Sequence, residues 1–365
     1  DQQQADDAPP ARNTWAPVDL AEAMSGQDTP PCGLVRTDGA GLFYRGAVNA
    51  VIGPSESGKT WVALVALVQQ VGAGHPGVVV DFEDSARGTV GRLRALGLSD
   101  EQILTSVHYI RPEAGLSAES ARGLREFLDS LGPCIVILDG VNAAMSLHGM
   151  DLMDNKDATL FHQGILRQFE REDIITVTVD HTPKSRAEDS AGGIGAQAKR
   201  AMMTGCVVRA EPVNVFGRGQ RGVIRLWVDK DRPGFVREVS ERRDKRDGTS
   251  AHWAADVTLD PLSEGGIRAA VLSPEQVATG GLVPSETDAA REARLIAVVL
   301  AAPGIKRSEA TGSIGGNHGK AVEALDRLIQ AGRVDVRRVG GRGAYASLYL
   351  PGTPAAEGAE TGGIS

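Results

Sequence analysis

The sequence predicts an α/β protein with a mainly parallel central sheet, followed by a small C-terminal winged helix-turn-helix domain. Short apolar segments alternate with helical segments between residues 47 and 179, as in βαβ units. Most of these apolar segments end in a glycine loop or an acidic residue. Near the C-terminus, helical segments precede two strand-like segments that flank the turn Gly340–Gly343, the order of a winged helix-turn-helix.

The elements follow in a regular order. The predicted strands of the parallel sheet are Ala47–Ile52, Val78–Phe82, Val107–Ile110, Cys134–Leu138 and Ile174–Val179. The predicted helices between and around them are Trp61–Val71, Arg87–Leu96, Ser117–Leu131 and Leu160–Phe169. Three further strand-like segments with short turns between them predict an antiparallel extension at the sheet edge, at Thr204–Ala210, Gly222–Val228 and Phe235–Val239. The C-terminal helices are Arg291–Leu300, Arg307–Thr311 and Gly319–Ala331, and its strands Val334–Val339 and Ala344–Leu350.

The 365 residues suit two folded units. We predict a flexible leader over 1–40, in which Leu20–Met24 forms a short docking helix, and a main α/β domain over 41–240. A composition break over 241–286 predicts a linker, with His252–Leu259 adding at most one edge strand. Residues 287–350 form the winged-helix domain, and 351–365 a disordered tail.

Composition excludes several classes of protein. A net charge of −8 argues against a protein that coats nucleic acid along its whole length. An aromatic content of 4% argues against a protein that binds single strands by stacking many bases. The three cysteines form no CxxC pair, which argues against a zinc site or a disulfide framework. No apolar run of about 18 residues and no signal peptide are visible. We therefore expect no membrane association and a cytoplasmic location.

The strongest motif is a glycine-rich loop between a predicted strand and a predicted helix. It matches GxxxxGK[ST] in full, as Gly53, Pro54, Ser55, Glu56, Ser57, Gly58, Lys59 and Thr60. Its backbone N–H groups and the helix N-terminus favour phosphate, Lys59 reaches the β- and γ-phosphates, and the Thr60 hydroxyl binds Mg²⁺. The loop therefore predicts that ATP and Mg²⁺ bind here.

Acidic and histidine residues end the neighbouring strands. Asp139 follows a buried strand and suits a role in holding Mg²⁺, partly through water. Glu83 is the first candidate for orienting the attacking water, and Asp84 the second. His181 is placed to sense the γ-phosphate. For the acidic residues the alternative is an ordinary turn at the end of a strand. For His181 the alternative is a neutral histidine with satisfied hydrogen bonds, and the two interpretations are equally weighted.

Together these motifs resemble the RecA-like ATPases of the hexameric helicase group, especially the RepA-type helicases of plasmids and related mobile elements. The resemblance covers residues 40–240 and includes Lys230 to Gly234. It implies a homo-oligomer, with a hexamer favoured, in which Lys230 and Arg232 reach the neighbouring subunit's nucleotide. A charged β-turn is the simpler alternative for these two residues. A separate N-terminal primase-interaction domain is not apparent, which leaves unwinding activity open.

DNA is the expected partner. The resemblance places Lys184, Arg186, Lys199 and Arg200 in the central channel, where they would contact single-stranded DNA; a nucleotide contact by Lys199 or Arg200 and a mobile surface loop are the alternatives. Ten basic and five acidic residues lie between Arg291 and Tyr349, and this local excess favours duplex DNA over a protein partner for the winged helix. The candidate contacts there are Lys320, Arg337, Arg338 and Arg342.

Two functions fit these expectations. The first is an ATP-hydrolysing DNA motor, a helicase-like ATPase in the replication of a plasmid, phage or integrated element. The second is an ATP-gated DNA-binding regulator or partition-like factor, in which the winged helix binds duplex DNA and hydrolysis resets the protein.

Overall fold

The structure is a computed structural model. It describes residues 30–181, 199–217, 220–244, 249–262, 265–279, 288–313, 318–339, 345–350 and 359–360, together with Pro17, Leu20 and Met24. Leu20 and Met24 have helical backbones and exposed side chains. The remainder of the predicted leader up to residue 29 lies outside the described residues.

A ten-stranded sheet dominates the described part of the chain. Its order is β10-β9-β7-β6-β1-β5-β4-β2-β3, and β8 pairs with β9. Six neighbouring strands, β6 to β3 in this order, are parallel, and β7 to β10 are antiparallel. The strands are β1 Ala47–Gly53, β2 Gly77–Asp81, β3 Val107–Ile110, β4 Ile135–Asp139, β5 Ile175–His181, β6 Cys206–Asn214, β7 Gly222–Asp231, β8 Glu241–Asp244, β9 Ser250–Pro261 and β10 Ile267–Leu272.

Helices cover both faces of the parallel strands, which explains why those strands are apolar throughout rather than alternating. On the first face pack α1 Lys59–Gly72, α2 Ala86–Ala95 and α3 Asp100–Ser106. On the second face pack α4 Ala118–Leu131, α5 Val141–Leu147, α6 Asn155–Gly164 and a 3₁₀ turn at Leu166–Gln168. The predicted helix Leu160–Phe169 is thus an α-helix that ends at Gly164, followed by the 3₁₀ turn.

The antiparallel extension is larger than expected. The segment interpreted as a linker, 241–286, contributes β8, β9, β10 and helix α8 Pro274–Ala278 to the main fold. The apolar side chains of β9 are buried against β7 and β10, so this strand is interior rather than at the edge. The predicted strand Phe235–Val239 is instead a helical turn, α7 Phe235–Glu238, which starts where Gly234 adopts a φ of 102°.

The end of the predicted leader is also folded. Leu34 is fully buried, and the Arg36 guanidinium donates to the carbonyl oxygens of Val239 and Ala254, each at 2.8 Å. The Thr37 N–H donates to Val271 O at 2.8 Å. These bonds tie residues 34–37 to the antiparallel extension, so the main fold includes them.

The C-terminal unit contains helices and a small sheet around its own core. The helices are α9 Asp288–Ala301, α10 Arg307–Ser313 and α11 His318–Gln330. The sheet has the order β11-β13-β12-β14, from Ile305–Lys306, Tyr345–Tyr349, Asp335–Val339 and Ala359–Glu360. Leu295, Leu325 and Leu348 are fully buried in its core. The last strand lies in the predicted disordered tail, and the neighbouring residues 351–358 and 361–365 lie outside the described part.

Within the residues that the structure describes, no helix combines the length and the apolar character needed to cross a membrane.

Candidate functional site

The glycine-rich loop connects β1 to α1 at the carboxyl end of the parallel strands. Gly58 has a φ of 85° and immediately precedes the first residue of α1. A Cβ atom on Gly53 would lie 2.6 Å from Ala210 O, and one on Gly58 would lie 2.3 Å from Ile224 Cδ1. Both glycines are therefore required by the close approach of β6 and β7 to the loop, and Gly58 also by its backbone conformation.

The loop presents polar groups that suit a phosphate. The Ser57 hydroxyl is buried and has no hydrogen-bond partner in the described part of the chain. Lys59 Nζ donates to Pro54 O at 2.7 Å and lies 3.3 Å from His181 Nδ1. Burial lowers the pKa of Lys59, while the carboxylates of Asp139 and Glu83 oppose this shift. A bound phosphate would supply the partners that the hydroxyl and the ammonium lack.

Asp139 ends β4 and is 6% exposed. Burial raises its pKa to about 6; the hydrogen bond from Thr60 lowers it, and the Asp81 and Glu83 carboxylates raise it. In the described residues no three His, Cys, Asp or Glu side chains converge as a protein-only metal site requires. The donor set instead fits Mg²⁺, which binds through one or two protein oxygens and takes its other ligands from phosphate and water.

Glu83 is held in position by a turn built on Asp81. The backbone N–H groups of Glu83 and Asp84 donate to Asp81 Oδ1 at 2.9 and 2.8 Å. The hydroxyl of Tyr109 donates to Asp81 Oδ2 at 3.1 Å. Asp81 is not among the residues predicted from the sequence, because an acidic residue inside the apolar run that precedes Glu83 forms no motif. It fixes the direction of the turn, so it positions Glu83.

Gly140 leaves room for the Glu83 side chain, since a Cβ there would lie 2.6 Å from Glu83 Cγ. Asp84, the second candidate for the water-orienting residue, is used elsewhere: it accepts from Arg92 Nη1 at 2.6 Å. Partial burial raises the pKa of Asp84, but the Ser85 N–H and the Arg92 guanidinium together lower the pKa by more, so the net shift is downward. The structure therefore favours Glu83 over Asp84.

His181 links the loop to Glu83. Because β5 lies between β1 and β4, its last residue stands between the glycine-rich loop and Asp139. His181 Nδ1 is 3.4 Å from Ser55 Oγ and 3.3 Å from Lys59 Nζ, and Nε2 is 3.6 Å from Glu83 Oε2. The two sides of one imidazole thus contact the lysine of the glycine-rich loop and the candidate water-orienting carboxylate.

The predicted channel residues have different surroundings. Lys184 and Arg186 lie outside the described residues. Lys199 is anchored, since its Nζ donates to Asn142 Oδ1 at 2.6 Å and lies 3.6 Å from Asp180 Oδ2. Burial raises the pKa of Asp180, and the charge of Lys199 opposes this shift. Arg200 is half-buried in the helical segment 199–202.

Lys230 and Arg232 lie at the opposite end of the strands from the glycine-rich loop. Asp231 pairs with Cys206, the first residue of β6, and β6 runs parallel to β1. Lys230 Nζ donates to the carbonyl oxygens of residues 200, 201 and 203 at 3.0, 2.9 and 2.7 Å. Arg232 is exposed.

The C-terminal candidates are described in part. The Arg337 guanidinium lies 3.5 Å from Asp335 and 4.6 Å from the centre of the Tyr349 ring, and its side chain is 10% exposed. It is therefore engaged within the unit rather than exposed on its surface. Lys320 lies in α11 and Arg338 in β12, with side chains outside the described part, as is the whole of Arg342.

Comparison with known proteins gives a match at the level of a domain. Residues 18–187, slightly less than half of the chain, match the family model of an AAA domain. This segment includes the glycine-rich loop, Glu83, Asp139 and His181. No curated protein matches the chain. With the loop and the mostly parallel sheet, the family match supports a P-loop ATPase of the RecA-like type.

Among solved structures, a KaiC-like protein of the hyperthermophilic archaeon Pyrococcus horikoshii is similar at 14% identity with a TM-score of 0.43. The similarity covers 66% of this chain and 97% of that chain. A similarity of this size does not bear on function.

Proposed function

We propose that the protein is an ATP-hydrolysing motor that acts on DNA as a ring-shaped homo-oligomer, with a hexamer favoured, in the replication of a plasmid, phage or integrated element. The observation that carries this proposal is the position of Arg232. This arginine is exposed and lies at the end of the strands opposite its own glycine-rich loop. It can serve ATP hydrolysis only at the loop of another subunit.

The chain's own residues supply the rest of the chemistry. The loop N–H groups and Lys59 bind the triphosphate, and Thr60 and Asp139 hold Mg²⁺, which neutralises phosphate charge when bound. Glu83 orients the attacking water and accepts its proton, and Asp81 and Gly140 keep its carboxylate in place. His181 contacts both Lys59 and Glu83, so a change at the phosphate reaches β5 directly.

A guanidinium from a neighbouring subunit completes this site. Hydrolysis develops charge on the transferred phosphoryl group, and an arginine supplied in trans stabilises it by a factor of about 10³–10⁵ in rate. Arg232 suits this role because its planar fork matches phosphate oxygens. Lys230 contributes indirectly: its three bonds hold the segment 200–203 against β7.

DNA contact is proposed for two places. In the ring, Lys184, Arg186 and Arg200 are the channel candidates, and Lys199 anchors the segment that carries Arg200 through Asn142 and Asp180. In the C-terminal unit, three helices and a small sheet support a winged helix-turn-helix that binds DNA through Lys320, Arg338 and Arg342. Arg337 contributes to the packing of Tyr349 instead.

The experiment that tests the motor is the ATPase rate without DNA, with single-stranded DNA and with duplex DNA, alongside the mass in solution with Mg-ATP. The proposal expects a ring-sized mass and a rate that rises with single-stranded DNA. A monomeric protein whose ATPase rate does not change when DNA is added would refute the proposal.

Mixed assemblies test Arg232 directly. Arg232→Ala and Lys59→Ala should each be inactive alone, with losses of about 10³ in turnover. Mixing them should restore hydrolysis, because an intact loop on one subunit then meets an intact Arg232 on another. Arg237→Ala, a nearby exposed arginine, is the control and should behave as the parent. Normal hydrolysis by Arg232→Ala would exclude the role in trans.

A second candidate function is an ATP-gated regulator that binds duplex DNA. The separate core of the C-terminal unit, with Leu295, Leu325 and Leu348 fully buried, favours it because such a unit binds DNA without the motor. This candidate expects site-specific duplex binding that depends on ATP, and slow turnover that single-stranded DNA does not raise.

A further inference from the structure

The position of the catalytic groups sets the direction in which a triphosphate lies along the loop. Asp139 and His181 end β4 and β5, on one side of β1, and Glu83 contacts His181 from the same side. The γ-phosphate must lie near these groups for hydrolysis. The nucleoside at the other end of the triphosphate therefore leaves the loop toward the other side of β1, where β6 lies and, beyond it, β7.

The β6–β7 hairpin runs beside the loop on that side. Ala210 of β6 approaches Gly53, and Ile224 of β7 approaches Gly58 so closely that a Cβ at either glycine would clash. The far end of the hairpin carries Phe216, which packs on Gly222. The hairpin thus extends from the first glycine of the loop toward the start of α1.

An aromatic pair closes this side. The rings of Trp61 and Phe216 lie edge to face, with centroids 5.0 Å apart and an interplanar angle of 66°. Trp61 is the third residue of α1, directly after Thr60. Both rings are half-buried, and Val213 and Val215, which precede Phe216 in the chain, are 49% and 67% exposed. Aromatic residues are 4% of the chain, so a half-open pair of them at this place is notable.

We propose that Phe216, Trp61 and Val215 form the platform for the base of the nucleoside triphosphate. The inference rests on the proposed ATPase and names the group that holds the nucleoside, which the phosphate motif leaves undefined. A half-buried ring offers a face or edge to a planar base, and Val215, the exposed residue before Phe216, adds apolar surface. Because every base has a π-face, such a platform binds purine triphosphates with little discrimination between ATP and GTP.

The test compares ATP with tripolyphosphate, which carries the same phosphate chain and has no base or ribose. Phe216→Ala should weaken ATP binding about tenfold, as expected for one lost stacking contact, and raise the KM of hydrolysis with little change in kcat. Tripolyphosphate binding should be unchanged. Phe216→Tyr should keep the affinity for ATP, and GTP binding should fall with Phe216→Ala in the same proportion as ATP binding.

Two controls keep the result interpretable. Leu104→Ala removes an apolar side chain that is 81% exposed on α3, and should not affect either ligand. Phe216→Leu retains apolar volume, so a folded variant with weaker ATP binding is expected even where Phe216→Ala is unstable. Equal losses for ATP and tripolyphosphate, or no loss for ATP, would overturn the platform.

These experiments distinguish failure of the base platform from failure of the proposed motor. If the parent binds ATP in a Phe216-dependent way but DNA does not change its turnover, the platform stands and the motor fails. If the parent binds neither ATP nor tripolyphosphate, the platform and the ATPase fail together.

Discussion

The two ends of the parallel strands differ in how their polar groups are satisfied. At the carboxyl end, the Ser57 hydroxyl is buried without a partner in the described chain, and burial and nearby carboxylates raise the pKa of Asp139. At the amino end, the carboxylate of Asp231 accepts from the Tyr44 hydroxyl at 2.8 Å and from the Arg237 N–H at 2.9 Å. The first end is arranged for a ligand and the second for stability.

Two lysines show the same difference. Both Lys59 and Lys230 have a pKa lowered by burial. All three donors of Lys230 go to backbone carbonyls of its own chain, whereas Lys59 has one carbonyl and one imidazole nitrogen. Lys59 therefore has capacity for phosphate, and Lys230 does not. For this reason the role in trans is proposed for Arg232 and not for Lys230.

The largest expected effect is on Lys59. Lys59→Ala should reduce ATP turnover by at least about 10³, since it removes a cation from the phosphate chain. Because burial of this charge opposes folding, the variant's Tm should not fall. The ATPase rate and thermal unfolding measure the two effects, with Lys156→Ala, an exposed lysine of α6, as the control. A clear drop in Tm would show that the carboxyl end also contributes to stability.

The second-largest effect is expected for Glu83→Gln. Turnover should fall by a factor of about 10²–10³, because the amide cannot accept the proton of the attacking water. ATP binding should be retained, since the Glu83 carboxylate lies 3.6 Å from His181 Nε2 and acts on Lys59 only through its charge. Binding and single-turnover hydrolysis separate the two steps. Asp84→Asn is the matched control; if it removes hydrolysis and Glu83→Gln does not, the two roles are reversed.

At the amino end, Lys230→Met should lower the free energy of unfolding by about 3 kcal/mol, because three backbone carbonyl groups lose their hydrogen-bond donor. Turnover per folded subunit of the assembled protein without DNA should change little. Chemical denaturation measures the stability. Arg232→Ala is the control from the same turn, and its stability should match the parent. A Lys230→Met variant of full stability would mean that water replaces the ammonium without cost.

The smallest effect is on the pH dependence of stability. The folded pKa of Asp139 is about 6, above its ordinary value of 3.8. Between these values the unfolded chain loses a proton that the folded chain keeps, so stability falls as pH rises from about 4 to about 6. Asp139→Asn should remove this fall and stabilise the nucleotide-free protein by no more than about 3 kcal/mol at pH 7. An unchanged pH profile would contradict the raised pKa.

The sequence predicted the carboxyl end well because its signals are local. The strand, loop and helix from Ala47 to Gly72 are contiguous, and the acidic residues that end β2 and β4 reach the same edge in any parallel sheet. Asp81 was missed because its four hydrogen-bond donors are set by the fold around it.

The amino end and the antiparallel extension were harder to predict because their contacts are long-range. Lys230 binds carbonyls about thirty residues earlier in the chain, and no spacing rule marks them. The glycine pairs within 240–286 looked like those of a linker, whereas Gly265 and Gly266 both have positive φ in the turn between β9 and β10. A glycine-rich turn and a flexible linker have the same composition.

The inclusion of β10 and α8 in the main fold shortens the tether to the C-terminal unit. The helix α8 ends at Ala278 and α9 starts at Asp288. The ten steps between these residues span at most about 35 Å when fully extended. Whatever path the intervening residues take, the start of α9 stays within that distance of the end of α8, close to the sheet edge. Anything that the C-terminal unit binds is thereby delivered to the neighbourhood of that edge, and a search over longer distances requires the whole molecule to move.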